Sequence, residues 1–368
     1  MMMRPKIKTT IPYFVLDKEI QIGEELGVAC FIDDPTGSVA LLVQSLNGEH
    51  DTEQIFEIVS SEYPDISKQD VLDAIQQIDE LGFLEDGNIQ PQDLTPYLTE
   101  RYKANLNYFS LFTDLSTSKF EIQEKINRAK ISLIGIGGLG SQILYHLSAI
   151  GFHNIKALDY DRLELSNFNR QLLYSESDIG ELKTGLAQKR IAQFNPNVNL
   201  QIINKKIEGS KDVLDHIQGA DLVICVADKP TMFIRKWVNE AVVQAGIPMI
   251  SGGVLNTRGR FFSIVPGTTG CIQCAQEHNE LLNPKQKQQL ENMKNISYNR
   301  QNATISSNVG MLAGIMVNEA IKHITGIAEP YSLGRACEIN FVDYTISEVS
   351  SWDKADTCSV CSALATQR

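Results

Sequence analysis

The sequence predicts an α/β protein with a doubly wound, mostly parallel Rossmann-like sheet and a small N-terminal winged-helix-like (α+β) domain. From about residue 120, apolar strands such as "AKISLIGI" and "DLVICVAD" alternate with helical segments, as βαβ units do. Before that, short alternating stretches precede three helices with i, i+3/i+4 apolar spacing. The predicted domains are therefore 1–92 and 120–368, joined by a polar, proline-containing linker over 93–119.

Composition describes an ordinary globular chain. Of its 368 residues, 43% are hydrophobic and 21% charged. No apolar run reaches the roughly 18 residues that span a membrane. The start, "MMMRPKIKTT", is basic but has no apolar segment behind it, which is not the pattern of a signal peptide. We expect a cytoplasmic protein without a membrane partner.

Charge is unevenly distributed along the chain. The net charge is −12, yet residues 1–100 alone hold five basic and twenty acidic residues, a balance of −15. A winged-helix-like domain suggests DNA binding, but a surface that binds phosphates must be basic. We therefore expect no nucleic acid partner.

The N-terminal domain is predicted from local signals. Residues 12–36 contain "YFVLDKEIQIG" and "GVACFI", which indicate a small hairpin. Asp51 and Ser67 are placed as N-caps of the second and third helices. "LGFLEDGNIQP" is typical of a tight turn between two short strands, the wing.

Further elements are predicted in the C-terminal domain. "RGRFFSIVPG" indicates an antiparallel strand, and "SSNVGMLAGIMVNEAIKHITG" an apolar helix packed on the sheet. Residues 276–300 are rich in Gln, Asn and Lys, which favours a loop.

A glycine-rich turn, "GIGGLG", predicts a nucleotide site. Gly135, Gly137 and Gly140 match G-x-G-x-x-G between a strand and a helix, where the backbone approaches phosphates closely. Asp159 ends the second strand, where a carboxylate accepts ribose hydroxyls. Alone, this pattern favours NAD or FAD.

A polar and cationic stretch beyond Asp159 changes that interpretation. It holds Asn167, Arg170, Gln171 and Lys183 within 24 residues of Asp159. Hydride transfer does not need these cations, whereas attack of a carboxylate on the α-phosphorus of ATP builds negative charge that Arg, Lys and Mg²⁺ stabilise. Asp228 ends another predicted strand, "LVICVAD", at the carboxyl edge of the sheet and is expected to hold that Mg²⁺.

Four of the seven cysteines form two Cys-x-x-Cys pairs separated by 84 residues. Two such pairs supply the four thiolates of a closed, structural Zn²⁺ site. An odd cysteine count without a signal peptide argues against a disulfide framework. The predicted zinc ligands are Cys271, Cys274, Cys358 and Cys361.

Together, "GIGGLGS", "ALDYDRLELSNFNRQLLY", "DIGELKT", "CVAD" and the paired cysteines resemble the adenylation domain of the E1-like superfamily over roughly residues 100–365. That family includes ubiquitin-activating enzymes and the activators of the molybdopterin and thiamin sulfur carriers. The resemblance implies ATP, Mg²⁺ and structural Zn²⁺ as cofactors. It implies catalytic roles for Arg170, Lys183 and Asp228. The implied nucleotide-binding set is Gly135, Gly137, Gly138, Gly140, Asp159, Asp161, Asn167 and Gln171.

Two features narrow the resemblance. Ubiquitin-type activators carry a thioester-forming cysteine, but residues 275–336 hold none. Cys225 lies in an apolar strand, where a structural thiol is expected, whereas Cys337 lies in an apolar-flanked segment and stays a candidate nucleophile. We expect direct transfer from the adenylate to a nitrogen or another nucleophile. The acidic N-terminal domain resembles the precursor-recognition domain of ribosomal peptide maturation systems, where a leader peptide adds as a strand.

The whole chain thus resembles the microcin C7 and pantocin maturation enzymes, and the expected substrate is a carboxylate, C-terminal or side-chain, of a ribosomal precursor peptide. Two alternatives remain: activation of a ubiquitin-like sulfur carrier, and an NAD-dependent oxidoreductase. The six histidines include no convincing proton donor for the latter.

The resemblance also implies a homodimer in which 93–119 contributes dimer contacts. Family members begin the domain with R-Y-x-R, whose second Arg reaches the neighbour's ATP site. Here the segment is "RYKA", with Ala104 at that place and Arg101 and Lys103 as possible substitutes.

Overall fold

The computed structural model describes residues 2–231, 233–282, 285, 288 and 303–362. Within these, the chain divides into two compact units, Met1–Lys125 and Ile126–Arg368.

The first unit has two small sheets and three successive helices. Strands β2 (Tyr13–Val15), β3 (Glu19–Ile22) and β4 (Cys30–Asp33) form an antiparallel sheet with β3 in the centre. The predicted hairpin is thus confirmed and gains a third strand. The helices are α1 (Ser38–Ser45), α2 (Thr52–Glu62) and α3 (Lys68–Glu80).

The predicted wing is wrong. β5 (Leu84–Asp86) does not pair with a following strand; it pairs antiparallel with β1 (Pro5–Ile7). The pairing brings the start of the chain back to the end of α3, so the segment closes a two-stranded sheet.

Both predicted N-caps are confirmed. The Asp51 side chain accepts from the N–H groups of Glu53 and Gln54, and Ser67 forms a capping box with Asp70. Apolar side chains of the strands and helices then form one core, which includes the fully buried Ile20, Ile22, Ile55 and Leu84.

The stretch predicted as a linker is largely helical. It holds α4 (Pro96–Arg101) and α5 (Lys103–Ser110), and α6 (Lys119–Arg128) follows. Thr95 caps α4 and a proline stands at its start, which favours a helix.

The second unit contains the predicted doubly wound sheet. Its eight strands have the order β13-β12-β11-β10-β9-β6-β7-β8, and the five from β10 to β8 are parallel. The parallel strands are β6 (Lys130–Ile134), β7 (Asn154–Asp159), β8 (Asn199–Asn204), β9 (Leu222–Cys225) and β10 (Met249–Leu255). The helices between them are α7 (Gly138–Ile150), α8 (Lys183–Phe194), α9 (Ser210–Ile217) and α10 (Ile234–Ala245).

The predicted antiparallel strand is confirmed as β11 (Arg258–Ile264), and the apolar helix as α12 (Ser306–Thr325), which packs on β10 and β11. Two further antiparallel strands, β12 (Arg335–Asn340) and β13 (Ile346–Ser351), extend the sheet and were not predicted.

The prediction of a loop over 276–300 is wrong at its start, because α11 (Ile272–Leu282) is a helix. Nearly all of the remainder lies outside the described residues. No helix among the described residues is long and apolar enough to cross a bilayer.

Candidate active site and metal centre

A tight turn joins β6 to α7 at the carboxyl edge of the sheet. Gly135 adopts φ +97°, in the left-handed region that favours glycine. At Gly140 an ideal Cβ would lie 1.9 Å from the carbonyl oxygen of Gly135, so only glycine fits there. Gly137 is the N-cap of α7, and no side chain caps the first N–H groups of the helix. The turn therefore has the geometry of an anion-binding helix N-terminus.

Asp159 ends β7 beside this turn, with a side chain that is only 8% exposed. Its Oδ2 accepts the N–H of Ile136 at 2.6 Å, and its Oδ1 accepts the N–H of Asp161 at 2.8 Å. Each carboxylate oxygen can accept more than one hydrogen bond. Asp159 can thus orient the turn and still accept from a ribose.

Arg170 lies along the turn. Its Cγ and Cδ are 3.1 Å from the position a Cβ would take at Gly138, so a side chain there would displace it. Burial lowers the pKa of Arg170, while the carboxylate of Asp228 acts in the opposite direction. Asp228 itself is exposed just beyond β9. A cation and a carboxylate therefore face the same edge of the sheet.

Gln171 carries an unsatisfied polar atom. Its side chain is 2% exposed, and its Oε1 has no hydrogen-bond partner among the described residues. A buried acceptor left unpaired costs about 1–3 kcal/mol. This atom is therefore a candidate acceptor for a donor that a ligand would supply. Asn167, also buried, stabilises the loop by accepting the N–H of Glu164 at 3.2 Å.

Lys183 is the first residue of α8, and its Nζ lies 3.0 Å from Oδ2 of Asp161. Tyr160 stands next to that carboxylate. Burial raises the pKa of Tyr160, and the charge of Asp161 raises it further, while Lys229 acts in the opposite direction and Asp159 and Asp228 add smaller increases. The three predicted carboxylates thus all act electrostatically on one hydroxyl.

Two supporting residues were not predicted from the sequence. The Tyr174 hydroxyl donates to the carbonyl of Ile136 at 3.2 Å, and Nε2 of Gln142 donates to the carbonyl of Arg170 at 3.1 Å. Both contacts join separate elements across the fold. Neither residue belongs to a local pattern, so the sequence holds no signal for these contacts.

The four predicted zinc ligands come together and are all buried. Their Sγ atoms are 3.9 Å (Cys271–Cys274), 3.8 Å (Cys271–Cys358) and 3.7 Å (Cys274–Cys361) apart. Tetrahedral thiolates at about 2.3 Å from zinc stand about 3.8 Å from one another. Disulfide sulfurs would be much closer, at about 2.05 Å.

Polar groups surround the sulfurs as well. Asn239 donates from Nδ2 to Sγ of Cys271 at 3.5 Å, and the N–H of Ala355 points to Cys274 at 3.4 Å. Such donors are typical around metal-bound thiolates. The spacing, burial and donors fit a structural zinc ion.

The remaining buried thiols are poor nucleophiles. Burial raises the pKa of Cys225 and of Cys337 to about 11. Both therefore stay protonated near neutral pH, which disfavours Cys337 as a thioester-forming nucleophile.

The ThiF family model matches residues 102–360 of the chain. The chain belongs to the ThiF family. Among curated ThiF-like relatives, the chain is 28% identical over 242 residues to the sulfur carrier protein ThiS adenylyltransferase of Escherichia coli, covering 65% of this chain and 88% of that one.

Other relatives match over shorter stretches. The sulfur carrier protein adenylyltransferase of Thermus thermophilus is 36% identical over 141 residues, 38% of this chain. The SUMO-activating enzyme subunit 2 of Dictyostelium discoideum is 30% identical over 167 residues. The chain spans about half the length of the former and 24% of the latter.

Solved structures share the fold of the whole chain. E. coli MccB has a TM-score of 0.79 at 22% identity, with 97% of this chain and 96% of that chain covered. PaaA has a TM-score of 0.71 at 21% identity, with 95% and 100% covered. The predicted doubly wound, mostly parallel sheet with a small N-terminal α+β domain is confirmed.

Proposed function

We propose that this protein is an ATP- and Mg²⁺-dependent adenylyltransferase that activates a carboxylate of a ribosomally made precursor peptide. The observation that carries the proposal is that Arg170 lies on Gly138 of the glycine turn and interacts with the charge of Asp228. Lys183 contacts Asp161, whose N–H donates to the Asp159 carboxylate that also accepts from the turn. Membership of a family of adenylating enzymes supports the reaction class.

The proposed reaction is an in-line displacement at phosphorus. An oxygen of the peptide carboxylate attacks the α-phosphorus of ATP, the bond to the β-phosphate breaks, and pyrophosphate leaves. Arg170 and Lys183 stabilise the negative charge that develops on the phosphates. Asp159 holds the ribose, and Gly137, Gly138 and Gly140 let the backbone approach the nucleotide. The side-chain N–H groups of Asn167 and Gln171 would donate to phosphate oxygens and complete the phosphate contacts.

Mg²⁺ would bind at Asp228 and neutralise phosphate charge; an exposed carboxylate at this edge is the hard oxygen ligand it prefers. Asp161 is a second carboxylate within the same group. Zinc would be held by the four cysteines and would take no part in the reaction. It would tie the C-terminal Cys358–Cys361 segment to α11.

The peptide substrate is supported by structural similarity to MccB, whose structures include complexes with the peptide MccA. We propose that the acidic first unit binds the leader as an added strand on the β2–β3–β4 sheet. Leu16 and Gly23 make the β2–β3 hydrogen bonds, so the amides of Tyr13 and Val15 point to the free edge of β2. By the same alternation Phe31 and Asp33 point to the free edge of β4.

Proline substitutions test this docking. Val15→Pro and Phe31→Pro each remove one outward amide without removing a hydrogen bond of the sheet. Leader binding, measured by calorimetry on the full chain, should fall in one of them, and that variant identifies the edge. Unchanged binding in both would overturn strand addition. Because the unit is acidic, salt should weaken binding of a basic leader.

A ubiquitin-like sulfur carrier is the second candidate, favoured by the curated adenylyltransferase relatives. Adenylation of each substrate can be compared in one assay of pyrophosphate exchange. Exchange that depends on a precursor peptide supports the proposal. Exchange with the sulfur carrier alone would replace the peptide substrate by the sulfur carrier. Tight NAD binding without exchange would refute both adenylation functions.

A homodimer is also part of the proposal. Ala104 is exposed at the start of α5, so a trans-acting arginine is missing there. If Arg101 or Lys103 replaces it, a mixture of Arg101→Ala/Lys103→Ala and Lys183→Ala chains should regain activity through mixed dimers. A monomer by sedimentation would exclude this arrangement.

A further inference from the structure

One end of the Arg170 guanidinium is bonded to the protein. Its Nη1 donates to the carbonyl of Ser166 at 3.0 Å and to Oδ1 of Asn169 at 2.8 Å. Those two bonds use both N–H groups of Nη1. Among the described residues, Nε and Nη2 make no hydrogen bond, so this edge of the guanidinium is the one left for a ligand.

Asn169 is itself fixed. Its Nδ2 donates to the carbonyl of Thr304 at 2.8 Å, which leaves Oδ1 to accept from Arg170. The backbone of Arg170 is held from another side by Gln142, and its methylene groups lie on Gly138. The long, flexible side chain is therefore restrained at its backbone, its stem and one nitrogen.

From this geometry we infer that Asn169 is a positioning residue that holds Arg170 with its Nε–Nη2 edge toward the phosphates of ATP. The Nε–Nη2 edge of a guanidinium matches two oxygens of a phosphate. The inference rests on the proposed function, because Arg170 receives its role there. Asn169 touches no reacting atom in this account; it acts through Arg170.

Loss of the Asn169 side chain should lower turnover more than it weakens ATP binding. ATP is also held by Asp159 and the glycine turn, whereas the charge that Arg170 meets increases as the α–β bond breaks. A catalytic group that is misplaced by about 1 Å can cost about 100-fold in rate. Asn169→Ala should lower kcat of pyrophosphate exchange about 10- to 100-fold and change KM for ATP less than about threefold.

A double-mutant cycle separates positioning from a general structural role. In an Arg170→Ala background, Asn169→Ala should cause no further loss, because the group it positions is gone. Asn340 offers a matched control, since its Nδ2 donates to Asp343 at 2.9 Å on the distant β12 turn. Asn340→Ala should keep the wild-type kcat.

Asn169→Asp keeps the acceptor for Nη1 but loses the Nδ2 bond to the carbonyl of Thr304, so it should lose less kcat than Asn169→Ala. The inference would be overturned if the losses in the cycle multiply or if Asn169→Ala leaves kcat unchanged. It would also be overturned if the Asp and Ala variants lose kcat equally. Absence of exchange in the wild-type protein with every peptide is a different result, because it refutes the proposed function instead.

Discussion

The ammonium of Lys183 lies 3.0 Å from the carboxylate of Asp161, and the lysine side chain is 4% exposed while the aspartate is 46% exposed. Lys183 is also the first residue of α8, where the helix dipole disfavours a cation. A buried cation at that end does not stabilise the helix. In the proposed function, ATP supplies an anion for this cation at the carboxyl edge, and Asp161 balances the charge of Lys183 before ATP binds.

Lys183→Ala should therefore remove activity and keep the leader site. We expect pyrophosphate exchange to fall by about 100- to 1,000-fold, the usual loss for one charge-stabilising group. Leader binding by the full chain should be unchanged. Lys189, exposed on the same helix, is the matched control, and Lys189→Ala should retain full exchange. Equal losses in both variants would remove Lys183 from the site.

Asp159→Ala should weaken ATP binding. It removes the acceptor for two backbone amides and for the proposed ribose contact. Each bond to a charged acceptor is worth about 1.5–3 kcal/mol, so KM for ATP should rise about 10-fold or more. Asp221 accepts the N–H of Lys130 at 2.8 Å, remote from the glycine turn. Asp221→Ala should lower stability without changing KM for ATP. If Asp221→Ala raises KM as much as Asp159→Ala does, the role of Asp159 is structural.

Zinc should be present at one ion per chain and should stabilise the second unit. Removing it with a chelator should lower the melting temperature, since binding free energy of a structural zinc contributes to folding. Cys358→Ser should lose the metal, whereas Cys30→Ser, outside the cluster, should keep it. Metal analysis of purified protein measures both. A chain without zinc that unfolds normally would refute the site.

Cys225→Ala and Cys337→Ala should keep adenylation. A pKa of about 11 leaves less than about one thiol in a thousand ionised at pH 7.5. No thioester with the substrate should be trapped, and activity should not increase steeply between pH 7 and 9 through either thiol. Loss of product formation with retained pyrophosphate exchange in one variant would instead identify a covalent intermediate.

Stability should fall in acid partly because of His216. Burial lowers its pKa to about 4, and the charge of Lys156 contributes. The unfolded chain binds this proton near pH 6.5 and the folded chain does not, so folding stability decreases as pH falls from about 6.5 to 4, by about 3 kcal/mol at most. His216→Leu should flatten this part of the pH profile in urea unfolding. An unchanged profile would assign the acid sensitivity to other groups.

Much of the site could be predicted because its signals are local. The glycine turn, the strand-end Asp159 and the two Cys-x-x-Cys pairs follow from backbone geometry and ligand chemistry within a few residues. The prediction of a wing is wrong because β5 pairs with β1, and a pairing between Ile7 and Leu84 has no local signal in the sequence. Helix α11 was missed because its polar residues resemble a loop, yet Gln273 bonds Glu277 one turn away.

Transfer of oxygen from the peptide to the nucleotide is the most direct measure of carboxylate adenylation. A precursor peptide carrying ¹⁸O in its carboxylates is incubated with the protein, ATP and Mg²⁺, and the nucleotide products are weighed by mass spectrometry. Adenylation joins a carboxylate oxygen to the α-phosphorus, so we predict one ¹⁸O in the AMP group once the acyl bond is broken. Adenylation of a peptide carboxylate would be contradicted by label in inorganic phosphate with release of ADP. It would also be contradicted by the absence of label from every nucleotide product.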